Sequence, residues 1–102
     1  MMNSILISGI TFRTAALPTA NSIVLLVQGS RANLGCGYFS MAAAEKMHDR
    51  FAVARGVSSI EELLEAPVAD LSPEAAACGV VPGMKGREAL LLMEKDGIPA
   101  SK

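Results

Sequence analysis

The chain has 102 residues, of which 51% are hydrophobic and 4% aromatic, so one domain's length of sequence must build its core from Ala, Leu, Val and Met side chains. Nine basic and ten acidic residues leave a net charge of −1, spread without a cationic block or an Arg-aromatic stripe, which argues against a nucleic-acid partner. No continuous apolar run exceeds five residues, as from Ile23 to Val27, far short of the ~20 residues that cross a bilayer, which argues against a membrane role.

The first element is a short apolar run from Ser4 to Ile7. Gly9 allows a turn or a bulge, and Ile10 to Thr14 then alternates apolar and polar residues with the period of a half-buried strand, so the two runs read as a hairpin or as one bent strand. Pro18 to Asn21 breaks the pattern. Ser22 to Gln28 is then continuously apolar and branched, the signature of a central strand covered on both faces. Gly29 to Asn33 reads as a hairpin connection, which brings Leu34 to Phe39 back antiparallel. Within that run Gly35 and Gly37 share one strand face and Cys36 stands on the other, so the glycine face is bare backbone fitted for close packing or for a ligand.

Ser40 is placed to cap a helix over Met41 to His48, with Ala43, Ala44, Met47 and then Phe51 as its apolar stripe. Phe51 to Ala54 is a compact buried strand. Ser58 and Ser59 each precede a glutamate by three residues, a doubled capping-box signal for a helix that Ala66-Pro67 ends. Val68 to Leu71 is a further short strand, expected to lie parallel to the Phe51 strand through a right-handed crossover. Ser72-Pro73-Glu74 opens another helix and Gly79 closes it. A last helix is expected from Lys85 or Gly86 to Asp96, with Ala89, Leu90, Leu91 and Met93 on its buried side. Gly97 and Pro99 would end it, ahead of a frayed terminus. The order predicts one α+β domain over residues 1–102. Its architecture is a two-layer sandwich in which helices pack on one face of a mixed sheet of N-terminal antiparallel strands plus a strand-helix-strand unit.

Several of these segments together carry a family resemblance: Cys36-Gly37 ahead of the first helix, Ala52-Val53 with Gly56-Val57, and Glu62-Leu63-Leu64-Glu65-Ala66-Pro67. Gly79-Val80 and Gly83-Met84-Lys85-Gly86-Arg87-Glu88-Ala89-Leu90 complete it. From Cys36 onward the chain resembles the YunC-like family of small bacterial and archaeal proteins, a domain of unknown function. The resemblance implies a two-layer α/β sandwich and brings no activity, substrate or catalytic residue with it. Where members often carry Cys-Gly-Ala-Leu-Asp, this chain has Cys36-Gly37-Tyr38-Phe39-Ser40. The serine can still cap the helix but cannot act as a base.

Cys36 is the candidate nucleophile, because a thiol near a helix N-terminus sits in a field that favours the thiolate; the alternative is a packed, inert thiol. His48 is the one histidine available to a Cys-His pair, although a histidine ending a helix is also stabilised by the dipole alone. Arg55 follows a buried strand, where open α/β sheets bind anions, and with Gly35 and Gly37 it forms the candidate ligand-binding set. Cys78 is read as packing. Gly83 to Arg87 has two glycines and two cations without the P-loop pattern, and reads as a turn with solvated charges. No metal site and no cofactor are proposed. Two cysteines without an export signal predict reduced thiols in a cytoplasmic protein. The apolar surplus predicts a homo-oligomer, most simply a dimer, with a small molecule as possible ligand. Two functions stand side by side: an oligomeric binding or accessory module, and a small thiol-dependent enzyme or redox protein that uses Cys36.

Overall fold

A computed structural model of the chain describes residues 2–95. Strands β1 (Met2–Ile7) and β2 (Ile10–Pro18) form an antiparallel hairpin. Its two-residue turn holds Ser8 and Gly9 at φ 51° and 81°, the left-handed pair whose twist matches that of the flanking strands. Strands β3 (Ile23–Gln28) and β4 (Ala32–Gly35) continue the antiparallel meander. The chain then crosses through helix α1 (Met41–Met47) into β5 (Arg50–Val53), which is parallel to β4. A two-residue strand β6 (Asp70–Leu71) closes a six-stranded mixed sheet in the spatial order β1 to β6.

The parallel pair is therefore β4 and β5, whereas β5 and β6 run antiparallel, contrary to the expectation for the Phe51 and Val68 strands. The cause is the backbone between α2 (Ile60–Glu65) and β6. Ala66 and Val68 bond to the chain near Met84 and Gly86, which holds the returning backbone at the carboxyl end of β5. Ala69 N–H then donates to the Val53 carbonyl at 2.7 Å, and β6 can only run back down. A six-residue helix, about 9 Å long, does not carry the chain to the far end of the sheet.

All three serine caps form. Ser40 Oγ accepts from Ala42 N–H at 3.2 Å, and Ser59 Oγ from Glu62 N–H at 3.1 Å. The Glu62 carboxylate reaches back to the N–H and hydroxyl of Ser58 rather than to Ser59 itself, which holds its pKa below the ordinary carboxylate value. Ser72 caps α3 (Pro73–Ala77), with Gly79 left-handed at φ 98° two residues beyond its end.

Helix α4 (Gly86–Glu94) lies on β4, β5 and α2. Phe12, Leu25, Val27, Leu34, Leu63, Leu90 and Met93 are buried in the core, which is aliphatic but for one ring. Neighbouring strand residues point to opposite faces. Leu34 meets Gly86 of α4, while the bare face of Gly35 meets the ring of Phe39. Phe39 and Phe51 pack with centroids 5.4 Å apart, so α1 is carried on the face opposite α4. Of its expected apolar stripe Ala44 is buried, but Ala43 is exposed and Met47 is 68% exposed. Because α1 reaches only the β4–β5 end, β3 is not covered on both faces: Leu25 and Val27 are buried, Val24 and Leu26 half-buried. No helix among the described residues is long and apolar enough to cross a membrane. Helix α4 ends at Glu94 with Lys95 already extended, short of the expected Asp96; Gly97, Pro99 and the expected frayed terminus lie outside the described residues.

The end of α4 is tied down twice. Arg50 donates to the Met93 and Lys95 carbonyls at 2.7 and 3.2 Å, a cation at a helix C-terminus. The Glu94 carboxylate accepts from the N–H groups of Ser30, Arg31 and Ala32 at 2.8, 2.9 and 3.0 Å, filling the concave turn between β3 and β4. Burial pushes the Glu94 pKa up, but these backbone donors outweigh it and the net direction is down from 4.5. The stabilisation is therefore present above the unfolded-state pKa and is lost as pH falls through the folded one. Glu94→Gln should cost about 1–2 kcal/mol at pH 7. In denaturant titrations the gap between the two proteins should shrink below about pH 4; a constant gap from pH 7 to pH 3 would remove the role assigned to the carboxylate charge.

Candidate functional site

The β3–β4 ladder ends at the pair Leu26 and Gly35, and Cys36 is the first residue beyond it. Its N–H still donates to the Leu25 carbonyl at 3.1 Å, but its own carbonyl turns away to accept from Phe39 N–H at 3.2 Å. The Leu25 N–H goes instead to Cys36 Sγ at 3.3 Å, and the thiol lies 4.0 Å from the Ile23 carbonyl. The sulfur thus closes the ladder where a backbone acceptor is missing, a weak acceptor serving an otherwise unpaired donor. Cys36 is buried, and both cysteines are free thiols.

The strand expected from Leu34 to Phe39 stops at Gly35, and residues 36–39 form a turn. Gly35 and Gly37 therefore do not share a strand face. A Cβ on Gly35 would collide with Phe39, so this glycine serves close packing. A Cβ on Gly37 would stand 3.4 Å from the Arg55 side chain, an ordinary contact, and Gly37 is exposed.

Two loops leave the carboxyl ends of the parallel pair β4 and β5, and they enclose an open cleft. Its volume is about 340 Å³, and it is lined by Ser22, Ile23, Cys36, Gly37, Tyr38, Gly56 and Val57. Gly56 is held at φ 75° with nothing near its missing Cβ, so the left-handed turn, not crowding, calls for glycine. Tyr38 stands at the rim, 56% exposed, with its phenol 3.4 Å from Thr19 Oγ1. Arg55 sits beside the cleft with its stem against Gly37 and its guanidinium paired to Asp70. A second hollow of about 440 Å³ lies between the β1–β3 face and the start of α2, beside Ser58 and Ser59, whose hydroxyls are engaged in capping.

Cys36, Gly37 and Arg55 are thus neighbours, and His48 is not with them. His48 precedes β5 while Cys36 follows β4, so the parallel strands place them at opposite ends, about 10 Å or more apart. His48 is a left-handed cap at φ 59° and bonds through Nδ1 to Glu74 at 3.0 Å, which lowers the Glu74 pKa. Cys78 is buried at the C-cap of α3, and desolvation raises its pKa against a smaller opposing effect of Arg50. Lys85 and Arg87 both pair with Glu65, at 3.2 and 2.6 Å. Their charges answer a carboxylate rather than a vacant phosphate cradle. No group of three or more His, Cys, Asp or Glu side chains among the described residues could hold a metal ion. Nothing local in the sequence marks Tyr38, Val57 or Ser22; only the pairing of β3, β4 and β5 brings their segments together.

The sheet order, the crossover through α1 and the strand-end cleft define a small α+β protein with a mixed six-stranded sheet. The chain belongs to the family described as Domain of unknown function (DUF1805), whose model matches residues 35–93. It is 33% identical over 98 residues to the uncharacterized protein YunC of Bacillus subtilis (strain 168), covering 92% of this chain and 97% of YunC. A crystal structure of a protein of unknown function, TA1206 from Thermoplasma acidophilum, superposes with a TM-score of 0.86 at 29% identity. That match covers 91% of this chain and 93% of the other. The TA1206 structure thus shares the α+β fold.

Proposed function

We propose that this protein is a binding or accessory module that holds a small molecule in the cleft at the carboxyl ends of β4 and β5. The observation that carries this reading is the cleft itself: about 340 Å³ between two glycine-bearing loops, at the strand ends where α/β folds collect ligands. Its lining is partly apolar, through Ile23, Val57 and the Tyr38 ring, with loop backbone and the Ser22 hydroxyl as polar groups. That suits a metabolite-sized molecule with one apolar side and one hydrogen-bonding edge. The competing reading, a thiol-dependent enzyme, draws on Cys36 lining the same cleft. It is weakened because the sulfur already serves Leu25, while Arg55 and His48 are engaged by Asp70 and Glu74.

One pair of measurements separates the two. Iodoacetamide alkylation of the native protein, followed by peptide mass, should modify Cys36 slowly at pH 6–7, as expected of a packed thiol. A fragment library screened by amide chemical shifts should move Gly37, Tyr38, Gly56 and Val57 together. Fast modification of Cys36 at pH 6 would replace the module with the enzyme. A screen in which those four amides never move would remove the cleft as a site.

A further inference from the structure

We propose that the open face of β1, β2 and β3 is an interface and that its occupant is a second copy of this chain. Register places Ala15, Leu17, Val24 and Leu26 side by side on that face, as the cross-strand pairs Ala15–Leu26 and Leu17–Val24. Leu17 is 61% exposed, and the other three are half-buried. On this side of the sheet the crossover helix α1 reaches β5 and leaves these strands open. Phe39, lying over Gly35, borders the patch where Gly35 pairs with Leu26. Among the described residues the face carries one charge, Arg13, whose guanidinium donates to Gln28 at 3.1 Å in the row beside the patch.

Two features favour a second copy over another occupant. Each cross-strand pair sets a larger side chain beside a smaller one. A two-fold axis running along the strands between β2 and β3 lets Leu26 of one copy lie over Ala15 of the other, and Leu17 over Val24, as the facing layers of a sandwich interdigitate. The axis also leaves both Arg13 rows at the periphery, in water, so like charges are not buried together.

Sedimentation velocity between 1 and 100 µM should show a species of twice the 10.6 kDa chain mass. Leu17→Asp and Leu26→Lys should each raise the dissociation constant at least tenfold. Val81→Asp, at a 54% exposed apolar position in the loop after α3, should leave it unchanged. Circular dichroism verifies folding of each variant, and Thr11→Glu, exposed on the same face, repeats the test if Leu17→Asp does not fold. A monomer at 100 µM overturns the proposal. So does a dimer indifferent to all substitutions on this face.

Discussion

Gly86→Ala should be the most damaging single-methyl change in the protein, costing about 3 kcal/mol and lowering Tm by roughly 12–20 °C. Helix propensity alone argues the other way, since alanine is better than glycine in a helix by about 1 kcal/mol. Geometry overrides it. Gly86 opens α4 and is buried, and a Cβ there would run into the Leu63 backbone carbonyl while standing 2.8 Å from Leu34 Cδ2. A side chain could turn aside, but a carbonyl inside α2 cannot move without α2. Gly86 N–H also donates to the Ala66 carbonyl at 3.0 Å, so α4 cannot retreat without losing that bond. The outcome is read from the denaturant midpoint of Gly86→Ala against wild type. An unchanged or raised midpoint would mean that α2 and α4 separate at little cost and that the close approach is incidental.

The same segment shows why some of this fold was legible in sequence and some was not. Gly83 to Arg87 offers a reader two glycines and two cations, which is equally a turn and a weak anion cradle. What decides between them is Glu65 opposite both cations and Leu63 beneath Gly86, contacts from about twenty residues away. Features written locally were readable: three serine caps, the left-handed Gly79, the break at Gly9 and the strand alternation from Ile10 to Thr14. Pairing direction was not, because β6 has two residues and its sense depends on where the 66–68 segment is held. Exposure of Met47 and Leu17 was equally hidden, since each belongs to an apolar pattern whose partner layer stops short.

Cys36 was legible as a special position but not for its reason. The sulfur closes the β3–β4 ladder by taking the Leu25 N–H, and this depends on the ladder ending at Gly35. Ser72 does the same for the β5–β6 ladder. That ladder ends at Ala52 and Leu71; Ser72 N–H donates to the Phe51 carbonyl at 2.9 Å, and its Oγ accepts the Phe51 N–H at 3.0 Å. In both cases the side chain past a strand end stands in for a departed carbonyl. A serine hydroxyl does this with a stronger acceptor and donor than a thiol.

Ser72→Ala should accordingly cost about 3 kcal/mol, well beyond the ~1 kcal/mol of an ordinary N-cap such as Ser59→Ala. Ser72 is fully buried, and its one hydroxyl accepts from Phe51 N–H and from Ala75 N–H at 3.2 Å while donating to the Asp49 carbonyl at 2.7 Å. Alanine would leave two donors and one acceptor without this partner at a buried to half-buried site. Ser72→Asp separates this from simple capping. Aspartate caps helices as well as serine does, yet an ionised carboxylate has no proton for Asp49 and would face that carbonyl with negative charge in a buried site. Ser72→Asp should therefore be at least as destabilised as Ser72→Ala at pH 7, with part of the loss recovered near pH 4 as the carboxyl gains a proton. A Ser72→Asp protein whose urea midpoint matched wild type at pH 7 would reduce Ser72 to a helix cap and dissolve its parallel with Cys36.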